Sequence, residues 1–334
     1  MWRYGKTGLG SNLVLDFNNI ICKKLKNIVY LVFNYMKIIL FIIVFLIVLF
    51  IYVHLNYQIS TSNDLEIYEI ENPWSKSSLD EVCYSKQPVR FMYNNNDIID
   101  NVNLSFISQQ YNAFDVKIRK MNETDDKAEL YLPFSVGEVS KLLENDVSGV
   151  YITENNIDFL EETNLIKVFK YNDDVLRPPL VSNCNYDFIS SSLNTNTLLQ
   201  YKLNYRNFFL VTEGSVKLKL ISPDYTKYLH VNKDYYNFLF TSPINCWDIQ
   251  REYSSDYNKV KSMEIILKQG DIIFIPAYWW YSFSFLNIST IACFHYRTYA
   301  NTLSISPEIC KSMLQKQNIK RNKNNVVSFD DNQE

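Results

Sequence analysis

The chain has 334 residues, enough for one or two domains, and 47% of them are hydrophobic and 15% aromatic, enough for a sizeable core. Only 7 residues are glycine, which nearly excludes glycine-rich phosphate loops. A net charge of −3 and a pI ≈ 5.8 leave no electrostatic footprint for nucleic acid.

Residues 1–35 form a short, weakly basic segment: Arg3, Lys6, Lys23, Lys24 and Lys26 stand against Asp16. An apolar patch, Ile28 to Phe33, ends at Asn34, and Ile38 to Val53 then runs without a charge. With its flanks this run approaches the roughly 20 residues that cross a bilayer. Lys37 and His54 are placed to snorkel at its ends. The pattern predicts a single transmembrane anchor over 36–55. A buried core helix competes with it, but the run has no polar face over four turns. A cleaved signal peptide also competes, but no small-x-small cleavage site follows. Lysines precede the span, and Asp64, Glu66, Glu69 and Glu71 follow it. By the positive-inside rule the N-terminus is then cytosolic and the C-terminal domain lumenal or extracellular.

Residues 56–72 read as a polar stalk, 73–314 as the folded domain, and 315–334, rich in Lys, Asn, Asp and Gln, as a disordered tail. Arg90 to Met92, Ala113 to Ile118 and Val150 to Thr153 are expected strands. Ser135 to Glu144 has helical spacing, with Val136, Val139, Leu142 and Leu143 on one face, and Ser135 with Glu138 forms a capping box. Val175 to Leu180 is a proline-containing connector. From Asp187 the pattern is short strands with turn signals between them: Phe188 to Ser191, Leu198 to Leu203, Phe208 to Thr212, Val216 to Ile221, Ile265 to Leu267 and Thr290 to Arg297. Such spacing suggests a sandwich or barrel.

The most informative stretch is Gln269 to Phe285. Gly270-Asp271 is turn chemistry, and Ile272 to Ile275 is a strand apolar on both faces. Pro276 has no N–H for a ladder and ends that strand. After the corner, Tyr281, Phe283 and Phe285 share one face and Ser282 and Ser284 the other.

This stretch resembles the Gly-Asp-hydrophobic-Pro-x-x-Trp-Trp-His signature of cupin-like, JmjC-type dioxygenases. The resemblance covers roughly residues 73–298 and implies a mainly β fold with some α, a double-stranded β-helix (jelly roll). In active members the final His binds Fe(II); here Tyr281 stands there. The family's His-x-Asp/Glu pair falls on Thr197-Leu198-Leu199-Gln200-Tyr201-Lys202, so Gln200 replaces His and Lys202 the carboxylate. The scaffold continues through Asn207 to Gly214 and on to Pro223, one residue longer than usual before Asn207. A Gly-x-Lys that grips 2-oxoglutarate is displaced by one, to Gly214-Ser215-Val216-Lys217. A non-haem Fe(II) centre needs two imidazoles and a carboxylate. Gln200, Lys202 and Tyr281 are thus former metal-ligand positions, with no metal, no cofactor and no catalytic residue expected. Asn207, Lys217, Phe283 and His295 are candidate pocket residues. Of the 3 histidines, His295 shares a face with Ile291 and Cys293, and His230 lies in a connector.

Five cysteines follow the anchor (Cys83, Cys184, Cys246, Cys293 and Cys310), without zinc-finger spacing and with room for up to two disulfides outside the cytosol. Glycosylation sequons start at Asn103, Asn122 and Asn287. The resulting expectation is a membrane-anchored, catalytically inactive barrel that binds a protein, glycan or small molecule. The alternatives are an Fe(II)/2-oxoglutarate-dependent hydroxylase with non-standard ligands, and a structural membrane or envelope component. The charge bias makes a direct prediction. Protease added to the cytosolic face of sealed vesicles should leave the C-terminal domain intact, and its digestion would reverse the orientation.

Overall fold

The computed structural model describes residues 9–71, 75–121 and 131–317, with backbone alone for 9–22, 25 and 28. Two compact units result, 1–57 and 58–334. The first is the helix Leu9–Ile59, which ends in the second unit's first residues. Its stretch Val29–Ile59 is long and apolar enough to cross a membrane, and its most apolar 18 residues have a mean hydropathy of 3.3 and are unburied. The apolar patch at 28–33 and the charge-free run belong to one continuous helix.

In the second unit the chain forms β1 (Tyr68–Ile70), β2 (Val89–Met92), β3 (Asp115–Lys120), β4 (Leu132–Ser135), β5 (Tyr151–Thr153) and β6 (Val181–Ser191). It continues with β7 (Gln200–Tyr201), β8 (Arg206–Glu213), β9 (Ser215–Ile221), β10 (Asn232–Asp234) and β11 (Leu239–Thr241). The last four are β12 (Ser262–Lys268), β13 (Asp271–Pro276), β14 (Trp280–Phe285) and β15 (Ser289–Thr298). Among the described residues these make a nine-stranded sheet, β1-β2-β13-β8-β15-β6-β5-β3-β4, and a six-stranded one, β10-β11-β7-β14-β9-β12.

Alternation along the strands explains three cores. Phe209, Val211, Ile273, Ile275, Ile291 and Cys293 of the larger sheet meet Val216, Leu218, Leu220, Tyr281, Phe283 and Phe285 of the smaller. The other face of the larger sheet, with Phe208, Leu210, Ile272, Phe274 and Phe294, lies beneath short helices carrying Leu79, Ile107, Val139, Leu160 and Phe169. The run Ile272 to Ile275 is continuously apolar because both its faces are covered. The outer face of the smaller sheet, with Trp280, packs against Leu229, Phe240, Tyr257 and Ile305. The expected helix is present as Val136–Asn145, with the Ser135–Glu138 capping box formed. Most other helices, such as Lys76–Tyr84, Ile157–Glu162 and Ile166–Tyr171, span one or two turns, too short to show a helical period in sequence.

Several expectations need correction. Residues 56–72 are not a free stalk: β1 pairs in parallel with β2, and Leu65 and Ile67 pack on the core between the sheets. The cause is Trp279. Its ring is fully buried, and its N–H must find an acceptor, which Ser62 O supplies at 3.0 Å and Thr61 Oγ1 at 3.2 Å. Lys86 Nζ adds a bond to Ser60 O at 2.8 Å. At the other end Lys316 closes the helix Ser306–Lys316, so the expected tail starts helical. The rest of that tail, from 318, and the Asn122 sequon lie outside the described residues. The five cysteines beyond the long helix are all free. The other two sequons have local structural duties. Asn103 caps the helix Leu104–Gln110 through Phe106 N, and its amide donates to Ile99 O and Asp100 O. Asn287 Oδ1 accepts from Ser215 N and Ser289 Oγ, in a turn where any side chain on Gly214 (φ 77°) would strike Ser289 and Asn287.

The edge segment makes a testable contribution. A chain begun at residue 72 should be less stable to urea than one begun at residue 58 by about 3 kcal/mol, the summed worth of a few hydrogen bonds and two half-buried aliphatic side chains. Equal midpoints would make the segment an ornament.

Candidate functional site

The site follows from where each inner strand face turns polar. Along β15, Ile291 and Cys293 are apolar, then His295 and Arg297 follow. On its neighbours, His295 sits opposite Asn207 of β8 and Asn185 of β6. Cys293 sits opposite Phe209 and Asp187. One end of the space between the sheets is therefore sealed by hydrocarbon and the other is polar. That polar mouth is a cavity of about 250 Å³, reached by Gln200, Lys202, His295, Arg297, Asp187 and Glu154.

Two of the positions where the resemblance would put ligands are neighbours: Gln200 of β7 pairs with Tyr281 of β14. Tyr281 turns its ring into the core, 5.1 Å from the Phe209 centroid and 5.7 Å from Phe283. Burial, with the nearby Cys293 and Glu154, pushes its hydroxyl well above its ordinary pKa, so it stays a neutral phenol. Lys202 lies one residue past β7. Its carbonyl accepts from Tyr278 N at 3.0 Å, and Tyr278 occupies the left-handed region (φ 66°) in the corner between β13 and β14. The corner thus fixes the backbone that presents Lys202. Neither Gln200, 7% exposed, nor Lys202 has a side-chain hydrogen bond or ion pair among the described residues.

His295 is held by Asn207, with Nδ1 and Oδ1 2.9 Å apart. Asn207 Nδ2 donates to Ile275 O at 3.1 Å and Asn204 O at 3.3 Å, so its Oδ1 is the free acceptor. His295 Nδ1 therefore carries the proton and Nε2 a bare lone pair. Burial, then the charges of Lys202 and Arg297, hold the ring's pKa well below the ordinary value. Phe209 stacks edge-on at 5.5 Å.

Four charged groups complete the wall. Glu154 accepts from Arg119 at 2.7 Å and from the Tyr131 hydroxyl at 3.1 Å. Asp187 accepts backbone N–H bonds from Asn155 (2.6 Å), Asn156 (2.7 Å) and Phe188 (2.9 Å). Burial pushes its carboxyl up to about 7 against these donors. Arg297 gives Nε and Nη2 to Asn204 Oδ1 at 3.2 and 3.0 Å and stacks over Phe238.

Of the candidate pocket residues, His295 lines the cavity and Asn207 stands behind it. Phe283 belongs to the sealed core instead. Lys217 is elsewhere: on β9 it alternates away from Val216 and Leu218, pairs with Glu264 and lies over Trp247 on the outer face. The displaced Gly-x-Lys is therefore not in the cavity. Sequence reasoning missed Asp187, Glu154, Arg119, Asn204 and Arg297. Period-two alternation from His295 reaches Arg297, but Asp187, Glu154 and Arg119 need the pairing of β3, β5, β6 and β15, and Asn204 the turn between β7 and β8. Trp279 and Trp280 are both fully buried in the core.

The side chains at the three positions where the resemblance would put iron ligands do not fit Fe(II). Gln200 is a neutral amide, Lys202 a cation and Tyr281 a neutral phenol packed among rings, while His295 supplies one imidazole. Among the described residues no group of three or more His, Cys, Asp or Glu could hold a metal ion. Residues 73–301 match the family model described as a cupin-like domain. No curated protein is similar enough to the chain to count as a match.

The His295 network predicts a pH effect. The unfolded ring takes up a proton near its ordinary pKa of about 6.5 and the folded ring does not, so stability should fall as pH drops through that value. Urea unfolding at pH 7.5 and 5.5 should show a larger loss in the wild-type chain than in His295→Gln. Equal losses would mean that His295 charges in the folded state.

Proposed function

We propose a reading that starts from the family: this chain belongs to the cupin-like domain family, and its barrel is a non-catalytic binding module held at a membrane. The observation that carries it is the Gln200–Tyr281 pair beside Lys202. A JmjC-type centre would need its ligands there, and the chain offers an amide, a phenol turned into the core and an ammonium group. At about 4 Å and an intermediate dielectric, an ammonium charge would repel a divalent ion by several kcal/mol. The scaffold around these positions is intact, and the cavity with its buried polar wall remains. That combination supports binding over catalysis. The exposed, apolar helix over Val29–Ile59 supports a membrane tether. The charge bias around it supports a cytosolic N-terminus and a barrel on the opposite side.

The test is chemical. The purified chain, supplied with Fe(II), ascorbate and 2-oxoglutarate, should retain no stoichiometric iron and form no succinate. Restoring iron binding should need Gln200→His, Lys202→Asp and Tyr281→His together, and each single change should fail. Stoichiometric iron with succinate release in the wild-type chain would establish the dioxygenase alternative.

A further inference from the structure

The charges around the mouth of the barrel are unevenly matched. Each carboxylate there is satisfied: Glu154 by Arg119 and Tyr131, Asp187 by three backbone N–H groups. The two cations that line the same cavity, Arg297 on β15 and Lys202 just past β7, are not. Lys202 has no ion pair or hydrogen bond among the described residues, and Arg297 meets only the Asn204 amide oxygen and the face of Phe238, neither of which carries a charge. Both cations are half-buried, and a charge at a cavity wall without a countercharge is one that a bound ion of opposite sign can complete. Gln200, 7% exposed, adds a side-chain amide without a partner at the same cavity. His295 adds an acceptor: with Nδ1–H committed to Asn207, its Nε2 lone pair is left for a donor.

We propose that this cavity binds a small carboxylic acid that also carries a hydroxyl or amino group. The carboxylate lies between Lys202 and Arg297, with Gln200 donating to it, and the O–H or N–H donates to His295 Nε2. The proposal rests on the non-catalytic reading above and supplies its ligand class. Three features select the class. Two uncompensated cations favour an anion over a neutral sugar. An acceptor beside them favours a ligand that has its own donor. A cavity of about 250 Å³ lies below the roughly 300–1,000 Å³ of drug-sized pockets, so the ligand is a small metabolite rather than a peptide. In this arrangement Lys202 has changed the site's preference: a position suited to holding a cation now attracts an anion. Arg297 brings planar, paired N–H donors suited to a carboxylate.

The experiment is calorimetric titration of the full chain in detergent, treated with chelator, using L-malate, L-aspartate, succinate and inorganic phosphate. Malate or aspartate should bind on the order of tenfold more tightly than succinate, which lacks the donor, as one hydrogen bond allows. Lys202→Met and Arg297→Met should each weaken that binding at least tenfold with the circular dichroism spectrum unchanged. His295→Gln should narrow the gap between malate and succinate. The inference is overturned if none of the acids binds, if succinate or phosphate binds as well as malate and aspartate, or if Lys202→Met binds like wild type. Those failures leave the non-catalytic reading standing; only iron-dependent consumption of 2-oxoglutarate would remove it.

Discussion

The structure depends on the packing of aromatic rings between its two sheets. Phe209 touches Tyr281, Phe283 and His295, and Tyr281 touches Phe283. Each ring buries a large apolar area, and the contacts seat the inner face of β14 against β8 and β15 of the facing sheet. One-residue slippage in β14 would exchange Tyr281, Phe283 and Phe285 for Ser282 and Ser284 on the inner face, so the register is strongly specified. The same packing directs the Tyr281 hydroxyl into surroundings that keep it protonated. A tyrosine in that state is a filler of space rather than a ligand for a metal.

The polar mouth is the complement of that seal. Buried charges persist where partners satisfy them. Arg119 and Glu154 illustrate the rule, each side chain being nearly inaccessible. The ion pair of Arg206 with Asp80 at 2.7 Å is another, tying the helix Lys76–Tyr84 to β8. Lys202 and Arg297 are the exceptions that face open space. Their contrast with the satisfied pairs is the observation on which the proposed anion site rests. The backbone that presents Lys202 is set by the left-handed Tyr278 in the corner after Pro276, so the motif that identifies the fold also shapes the wall of the site.

Much of this was legible in the sequence. The corner at Pro276, the inward face of Tyr281, Phe283 and Phe285, the company of His295 with Ile291 and Cys293, and the capping box at Ser135 all follow from period and residue chemistry. What was not legible depends on contacts distant in sequence. The segment 60–70 looks polar and free until Trp279, more than two hundred residues later, calls for an acceptor. Lys217 looked suitable for a pocket because of the motif next to it, but strand alternation turns it to the other face of β9. Asp187 and Glu154 carry no local signal at all. They become neighbours only through the pairing of β5 with β6. The short helices were invisible because one or two turns hold too few residues to display a period.

The most direct test of the central claim, that the former ligand positions cannot hold a divalent metal, is titration of the isotope-labelled chain with Mn(II), followed by paramagnetic broadening. The account predicts that the resonances of Gln200, Lys202, Tyr281 and His295 broaden no more than those of comparably exposed residues elsewhere in the barrel. Selective, saturable broadening centred on those four residues at stoichiometric Mn(II) would contradict it.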